Sequence, residues 1–375
     1  MCFAVKSGGI NESLAEKGIS HFIEHMVFKG TKNRTPLQIT SEIEKKGGIL
    51  NAFTSETVTA FHCKMPSENW EIGLDVLTDL VKNPLFDEEE LNKERQVIFE
   101  EIKMIKDTPI SHAFHKIQSC LYDGTLAQPL IGDINTMNSI DRQQLIDKFT
   151  NTFVPENMIL CVVGDCNVEK VIEFVEGQFE GKKSFVEEQE IILKNKEEIE
   201  FRSGLDQSHI VFAYHVPTAN EDESYAAYLL SALMAEGMSS RLFTEIREKR
   251  NLAYAIKGGC EIRKEFAYNY IYIGSTPQNI DKIREILLDE FEKVSLELSE
   301  QEFAESKQQV IGNYHLSFED SEGQMINLVF SELNGNAEDY YRAEEKLNAL
   351  KLNDVKELAK MAREKHSFFV LQPKD

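Results

Sequence analysis

Between residues 19 and 27 the apolar positions are Ile19, Phe22, Ile23, Met26 and Val27, the i, i+3, i+4, i+7, i+8 spacing of one helix face. The spacing predicts an amphipathic helix with His21, Glu24 and His25 on its opposite face. Next, "SEIEKKGG" (41–48) reads as a helix end stopped by glycine. "ILNAFTSETVTAFHCKM" reads as a hairpin of β-branched and aromatic residues. "PSENWEIGLDVLTDLVKN" is an amphipathic helix opened by Pro66 and Ser67, and "LFDEEELNKERQVIFEEIKMIKD" is a second, longer one.

The same order returns later. "TEIREKRNLAYAI" precedes a hairpin-like "KGGCEIRKEFAYNYIYIGST", then the helices "PQNIDKIREILLDEFEKV" and "LSEQEFAESKQQVIGNY". Glu42 aligns with Glu245 and Pro66 with Pro277, the register drifting as a loop-length change would produce. The pattern predicts a duplicated α/β unit. The halves meet at the charged stretch "VEEQEIILKNKEEIEF", read as a linker holding one strand.

Composition narrows the field. A chain of 375 residues is long for one core and suggests two domains or three. With 42% hydrophobic and 28% charged residues it is globular rather than disordered. No apolar run reaches about 18 residues, so no membrane span is expected. The opening "MCFAVKSGGINES" lacks the charged and apolar regions of a secretory signal. A net charge of −23 argues against nucleic acid and anionic membranes, and suits cationic partners. Cys2, Cys63, Cys120, Cys161, Cys166 and Cys260 show no CxxC pair and read as reduced, mostly buried thiols of a cytoplasmic protein. "CVVGDC" reads as one strand-like run with Cys161 and Cys166 on opposite faces.

The polar face of the first helix carries the candidate chemistry. Histidines at i and i+4 have Cβ atoms about 5–6 Å apart. Both can reach one Zn²⁺, whose bonds to nitrogen are about 2.0–2.1 Å. Glu24 could take a proton from a zinc-bound water. The bland alternative is a solvated helix face, but HxxEH arises by chance in only about a few per cent of chains this long. Only the first half carries it, which favours function over a folding role. A third ligand should come from another element. "ERQVIFEEIKM" is the richest source: Glu94 and Glu101 share a helix face, and Ile98, Ile102 and Ile105 form the adjacent apolar edge. Composition does not choose among Glu94, Glu100 and Glu101; His62, His112 and His115 are weaker candidates.

These residues carry a resemblance. HxxEH is the inverse of the commoner HExxH zinc motif. "GISHFIEHMVFKGT", "ERQVIFEEIKM" and "GMSSRLFTEIREKRNLAY", in that order, resemble the signatures of the pitrilysin / mitochondrial processing peptidase family of zinc metallopeptidases, and most of all its bacterial members. The resemblance covers nearly the whole chain. It implies that His21, His25 and Glu101 bind one zinc per chain, Glu101 being chosen by the family's spacing from His25. Glu24 would be the general base, and Glu94 an acid orienting a ligand histidine. "LNAFTS" is similar to the family's edge strand, so Asn51, Ala52 and Phe53 would hold an extended peptide by strand addition. Arg247 and Tyr254 would contact substrate, with Tyr254 polarising the scissile carbonyl; the residues alone suggest only a surface pair at a helix end.

The implied fold is α+β (an α/β sandwich): two homologous domains, each a mostly antiparallel sheet with packed helices. Residues 1–185 would be the catalytic zinc-binding domain, 186–200 the linker, and 201–375 the homologous non-catalytic domain. Two chains would close around a chamber, as a homodimer or a heterodimer with a related chain, with Arg247 and Tyr254 facing the partner's zinc site. Family members carry a further stretch, with an edge strand, before the point where this chain begins, and the residues after "SG" are altered here. The first sheet is thus expected to have one strand fewer and an exposed edge. The expected function is a zinc-dependent endopeptidase for short or unfolded, basic peptides. One alternative is a non-catalytic or partner-dependent peptide-binding scaffold, which would not need Glu24. The other is a zinc amidase or phosphoesterase, which would not need the peptide-pairing strand.

Overall fold

The computed structural model describes residues 1–374 except 180, 182 and 185. Its strands are β1 (Cys2–Val5), β2 (Ile49–Thr54), β3 (Thr59–Lys64), β4 (Tyr122–Asp123), β5 (Met158–Cys161), β6 (Ile192–Leu193), β7 (Glu197–Arg202), β8 (Ser208–His215), β9 (Ala253–Ile262), β10 (Ala267–Ser275) and β11 (Ser367–Pro373). The helices that matter here are α1 (Ile19–Val27), α2 (Pro36–Glu44), α3 (Trp70–Lys82), α4 (Glu88–Asp107) and α5 (Pro109–Leu121). The chain divides into two units: Met1–Met104 with Gly124–Glu190 and Asp320–Val329, and Ile105–Asp123 with Ile191–Glu319 and Phe330–Asp375.

The first unit holds an antiparallel sheet ordered β2-β3-β1-β5. β1 pairs on both sides and all four of its residues are buried, so it is an interior strand. α3 packs on β1 and β3 through Leu74, Leu77 and Leu80, the face its apolar spacing predicts. α1 packs on β2 and β3, burying Ile19, Phe22, Ile23, Met26 and Val27. β2 and β5 form the sheet's two edges. β5 ends at Cys161, so Cys166 lies beyond the strand, not on its opposite face.

The second unit holds five strands ordered β7-β11-β8-β10-β9, antiparallel except for the β7–β11 pair. Ile210, Phe212, Ile271, Ile273, Phe368 and Val370 pack under the helices Ser224–Ala235, Ile280–Glu297 and Leu352–Glu364. α5 packs against β8 and β11. The duplicated pattern is visible strand by strand, β5-β1-β3-β2 against β11-β8-β10-β9. β7 has no counterpart beside β5 among the described residues. The charged stretch between the halves holds β6 and β7 rather than a single strand. No helix among the described residues is long and apolar enough to cross a membrane.

Candidate metal centre

α1 starts at Gly18, whose φ of +97° lies in the left-handed region. An added Cβ there would stand 2.5 Å from the Ile131 carbonyl oxygen, so the turn is also too tight for a side chain. The helix's free N–H groups are met by a distant side chain. Glu12, fully buried, accepts from Gly18 N–H at 2.9 Å and from Ser20 N–H at 2.8 Å. Lys17 lies 3.7 Å from Glu12 and 3.3 Å from Glu56, and donates to the Gly9 carbonyl at 3.0 Å. This buried charge cluster fixes the start of α1 and hence the direction of its polar face.

On that face His21 and His25 stand with ring centroids 4.7 Å apart. α4 brings Glu101 to them: its Oε2 is 3.8 Å from His21 Nε2 and 3.5 Å from His25 Nε2. Ligand atoms of these three residues all lie within 4.8 Å of one another, and among the described residues no other group of three or more His, Cys, Asp or Glu residues does this. Two imidazoles and a carboxylate around an open position are the donor set of a catalytic zinc. His25 Nδ1 is 3.1 Å from Glu94 Oε2. That contact needs the proton on Nδ1, which leaves the Nε2 lone pair aimed towards Glu101. His21 Nδ1 is buried with no hydrogen-bond partner, so no other group claims that ring. Burial and the neighbouring His25 push the His21 pKa down to about 3, so its ring is a neutral donor at neutral pH. The residues present therefore fit a zinc ion.

Glu94, nearly buried, spends its other oxygen on Lys29 Nζ at 2.7 Å. Lys29 lies in the turn just past the end of α1, so Glu94 is held both by the helix, through His25, and by the segment that follows it. Glu24 accepts from the Thr54 hydroxyl at 2.5 Å. Burial raises the Glu24 pKa and the Thr54 hydrogen bond opposes that rise. Sequence reasoning singled out none of Thr54, Lys29, Glu12 and Lys17. Glu100 instead turns outward and pairs with Lys103 at 2.6 Å. His62 lies on β3, 3.7 Å from Glu322. His112 pairs with Glu200 at 2.8 Å in the second unit, which also holds His115. None of these joins the cluster.

Asn51, Ala52 and Phe53 lie on the edge strand β2, opposite His62, Phe61 and Ala60. The Ser55 N–H bond to the Val58 carbonyl sets the alternation of this ladder. Asn51 and Phe53 bond inward, and Leu50, Ala52 and Thr54 turn their N–H and C=O groups to the free edge. Ala52 N–H is met there by Asn51 Oδ1 at 2.9 Å. In the second unit Arg247 lies in a π-helical turn, Phe243–Glu248, its guanidinium 4.8 Å from the centre of the Phe243 ring. Tyr254 sits on β9, past the left-handed Asn251, so the two are not a pair on one helix.

Two family models match this chain. "Insulinase (Peptidase family M16)" matches residues 2–134 and "Peptidase M16 inactive domain" matches residues 139–310. A Rickettsia felis protein named as an uncharacterized zinc protease is 32% identical over 82% of this chain and 76% of its own length. The chain belongs to peptidase family M16. Within M16, a Bacillus subtilis protein, also named as an uncharacterized zinc protease, is 28% identical over 86% of this chain and 79% of its own. The crystal structure of a Helicobacter pylori protease superposes with a TM-score of 0.90 at 22% identity, covering 99% of this chain and 94% of that one. This last likeness speaks for the fold. In this M16 chain, the model described as inactive falls mainly on the half without HxxEH.

Proposed function

We propose that this M16 protein is a zinc endopeptidase for short or unfolded peptides. The observation that carries the reading is the convergence of His21, His25 and Glu101 donor atoms within 4.8 Å, with Glu24 on the same helix face. A zinc ion held by these three residues would polarise the scissile carbonyl and acidify the attacking water. Glu94 holds the His25 ring in the tautomer that presents Nε2. Glu24 takes the proton of the attacking water and delivers it to the departing amine. The outward N–H and C=O of Ala52 pair with an extended substrate backbone, displacing the Asn51 carboxamide. Tyr254 donates to the carbonyl oxygen as negative charge develops, and Arg247 binds substrate. The net charge of −23 favours basic peptides.

The same reading places the active form in a dimer of this chain, with Tyr254 and Arg247 serving the partner's centre in a chamber that excludes folded proteins. Mixed dimers of Glu24→Gln and Tyr254→Phe chains test this, because cross-subunit service restores one working centre. Two inactive parents that stay inactive when mixed would remove the arrangement.

The principal experiment compares wild type with Glu24→Gln for zinc per chain and for turnover of quenched basic peptides. One zinc in both and cleavage only by wild type is the expected result. Zinc in both and cleavage by neither supports a peptide-binding scaffold. Zinc in neither overturns the metal reading.

A further inference from the structure

Tyr254 occupies an irregular position. On the β9–β10 ladder Ala255 faces Gly274 and Ala253 faces Ser275, with a register shift between Gly274 and Ser275. Tyr254 is thus the extra residue of a β-bulge, a device that re-aims a side chain. Its ring lies against the Gly274 backbone. A Cβ on residue 274 would stand 2.3 Å from Tyr254 Cζ and 2.4 Å from its hydroxyl oxygen. Gly274 is not among the positive-φ glycines, so what glycine supplies here is room for the Tyr254 ring, not backbone freedom.

The hydroxyl so placed is 3.3 Å from that of Tyr272, which is 2.9 Å from His209 Nδ1. His209 faces Gly274 across the β8–β10 ladder. Tyr272 and His209 are buried, whereas Tyr254 is 43% exposed. The three groups therefore run in file, two buried ones behind the exposed Tyr254 phenol. A core Tyr–His pair is satisfied by its own hydrogen bond, and needs neither a bulge nor a glycine cradle to bring in an exposed phenol. Burial keeps the Tyr272 phenol protonated and the His209 ring neutral. These contacts can run in either direction; in the outward one, with the ring proton on Nδ1, His209 donates to Tyr272 and Tyr272 donates to Tyr254. The Tyr254 O–H is then left free to donate outward, and each bond polarises the next.

We propose that Tyr272 and His209 are positioning residues for Tyr254, forming an inside-to-outside donor chain that leaves the Tyr254 O–H aimed at the substrate carbonyl oxygen. The inference rests on the reading of Tyr254 as the group that polarises that carbonyl.

The test uses the zinc-loaded full chain with a quenched peptide. Tyr272→Phe and His209→Leu should each lower kcat about three- to tenfold with KM within about twofold. His209→Asn, which can keep a donor near the Nδ1 position, should recover most of the loss. Adding Tyr272→Phe to Tyr254→Phe should cost nothing further, an outcome that general destabilisation would not give. Gly274→Ala places its Cβ first against the Tyr254 ring, leaves the Tyr272 and His209 side chains in the chain, and should reproduce the Tyr254→Phe loss even if Tyr272→Phe folds poorly. In tyrosine labelled with ¹³C at Cζ, the Tyr254 resonance should move in both Tyr272→Phe and His209→Leu. If Tyr254→Phe is impaired while Tyr272→Phe and His209→Leu turn over like wild type, this inference is overturned and the function of Tyr254 stands. If Tyr254→Phe itself turns over normally, the reading of Tyr254 fails and the inference with it.

Discussion

The Thr54 hydroxyl donates to the Glu24 carboxylate at 2.5 Å. Thr54 belongs to β2, the edge strand on which Ala52 turns its backbone outward. One hydrogen bond thus ties the strand that would receive a peptide to the group that would take the water's proton. Thr54→Val keeps the branched shape and removes the donor. It should lower kcat about tenfold while leaving KM and zinc content nearly unchanged. Thr54→Ser should retain most activity. Steady-state kinetics decide the matter: a change confined to KM would place Thr54 with peptide binding instead.

Glu94 bridges His25 Nδ1 at 3.1 Å and Lys29 Nζ at 2.7 Å. Groups in this position typically hold a ligand ring in place and raise its basicity. Glu94→Gln should weaken zinc binding about 10- to 100-fold, measured by competition with a chromogenic chelator. Lys29→Met leaves Glu94 present but untethered, and should weaken zinc binding less. Equal affinity in wild type and Glu94→Gln would show that His25 needs no such support.

The polar face of α1 was legible because an amphipathic helix encodes its own orientation: five apolar residues at helical spacing leave His21, Glu24 and His25 no other face. The third member of the cluster was not legible from composition. Glu94, Glu100 and Glu101 share one helix, and which of them meets the histidines depends on how α4 approaches α1. Family spacing pointed to Glu101, whose carboxylate oxygen lies 3.8 Å from His21 Nε2 and 3.5 Å from His25 Nε2. Thr54 and Glu12 carry no local signal, since neither falls on a periodic pattern that links it to α1. The π-helical turn at Arg247 and the bulge at Tyr254 are likewise invisible to periodicity, because both are irregularities in it. Two strands in the charged stretch between the halves were read as one, because β6 spans only Ile192–Leu193.

Glu12 is a second support that should be separable from the chemistry. It caps α1 from a fully buried site beside Lys17. Glu12→Ala removes two charge-assisted bonds to backbone N–H groups and unbalances the buried charges, and should cost about 2–4 kcal/mol of stability. Chemical denaturation of the metal-free protein measures this directly. Zinc affinity should fall as well, because the N-terminal turn of α1 carries His21. A stable Glu12→Ala protein with unchanged zinc binding would mean that Gly18 and the packing of Phe22 alone set the helix start.

The histidines make stability depend on pH in a definite direction. Burial holds His21, His62, His112, His115, His209, His215 and His366 below the ordinary histidine value, His21 at about 3. An unfolded chain protonates these rings near pH 6.5, whereas the folded chain resists until lower pH. As pH falls below that point the unfolded state binds more protons than the folded state, so unfolding becomes easier. The stabilisation is fully present above about pH 6.5 and is lost progressively as pH falls towards the depressed values. The Tm of the metal-free protein should be nearly flat between about pH 8 and pH 7, then drop by about 5 °C or more by pH 5.5. Scanning fluorimetry in matched ionic strength measures it. Asn replacements at histidines outside the His21–His25–Glu101 cluster, such as His366→Asn at a partly buried ring, should flatten the acid limb even where they lower Tm overall. An acid limb indifferent to all of these replacements would assign the loss to carboxylates rather than to imidazoles.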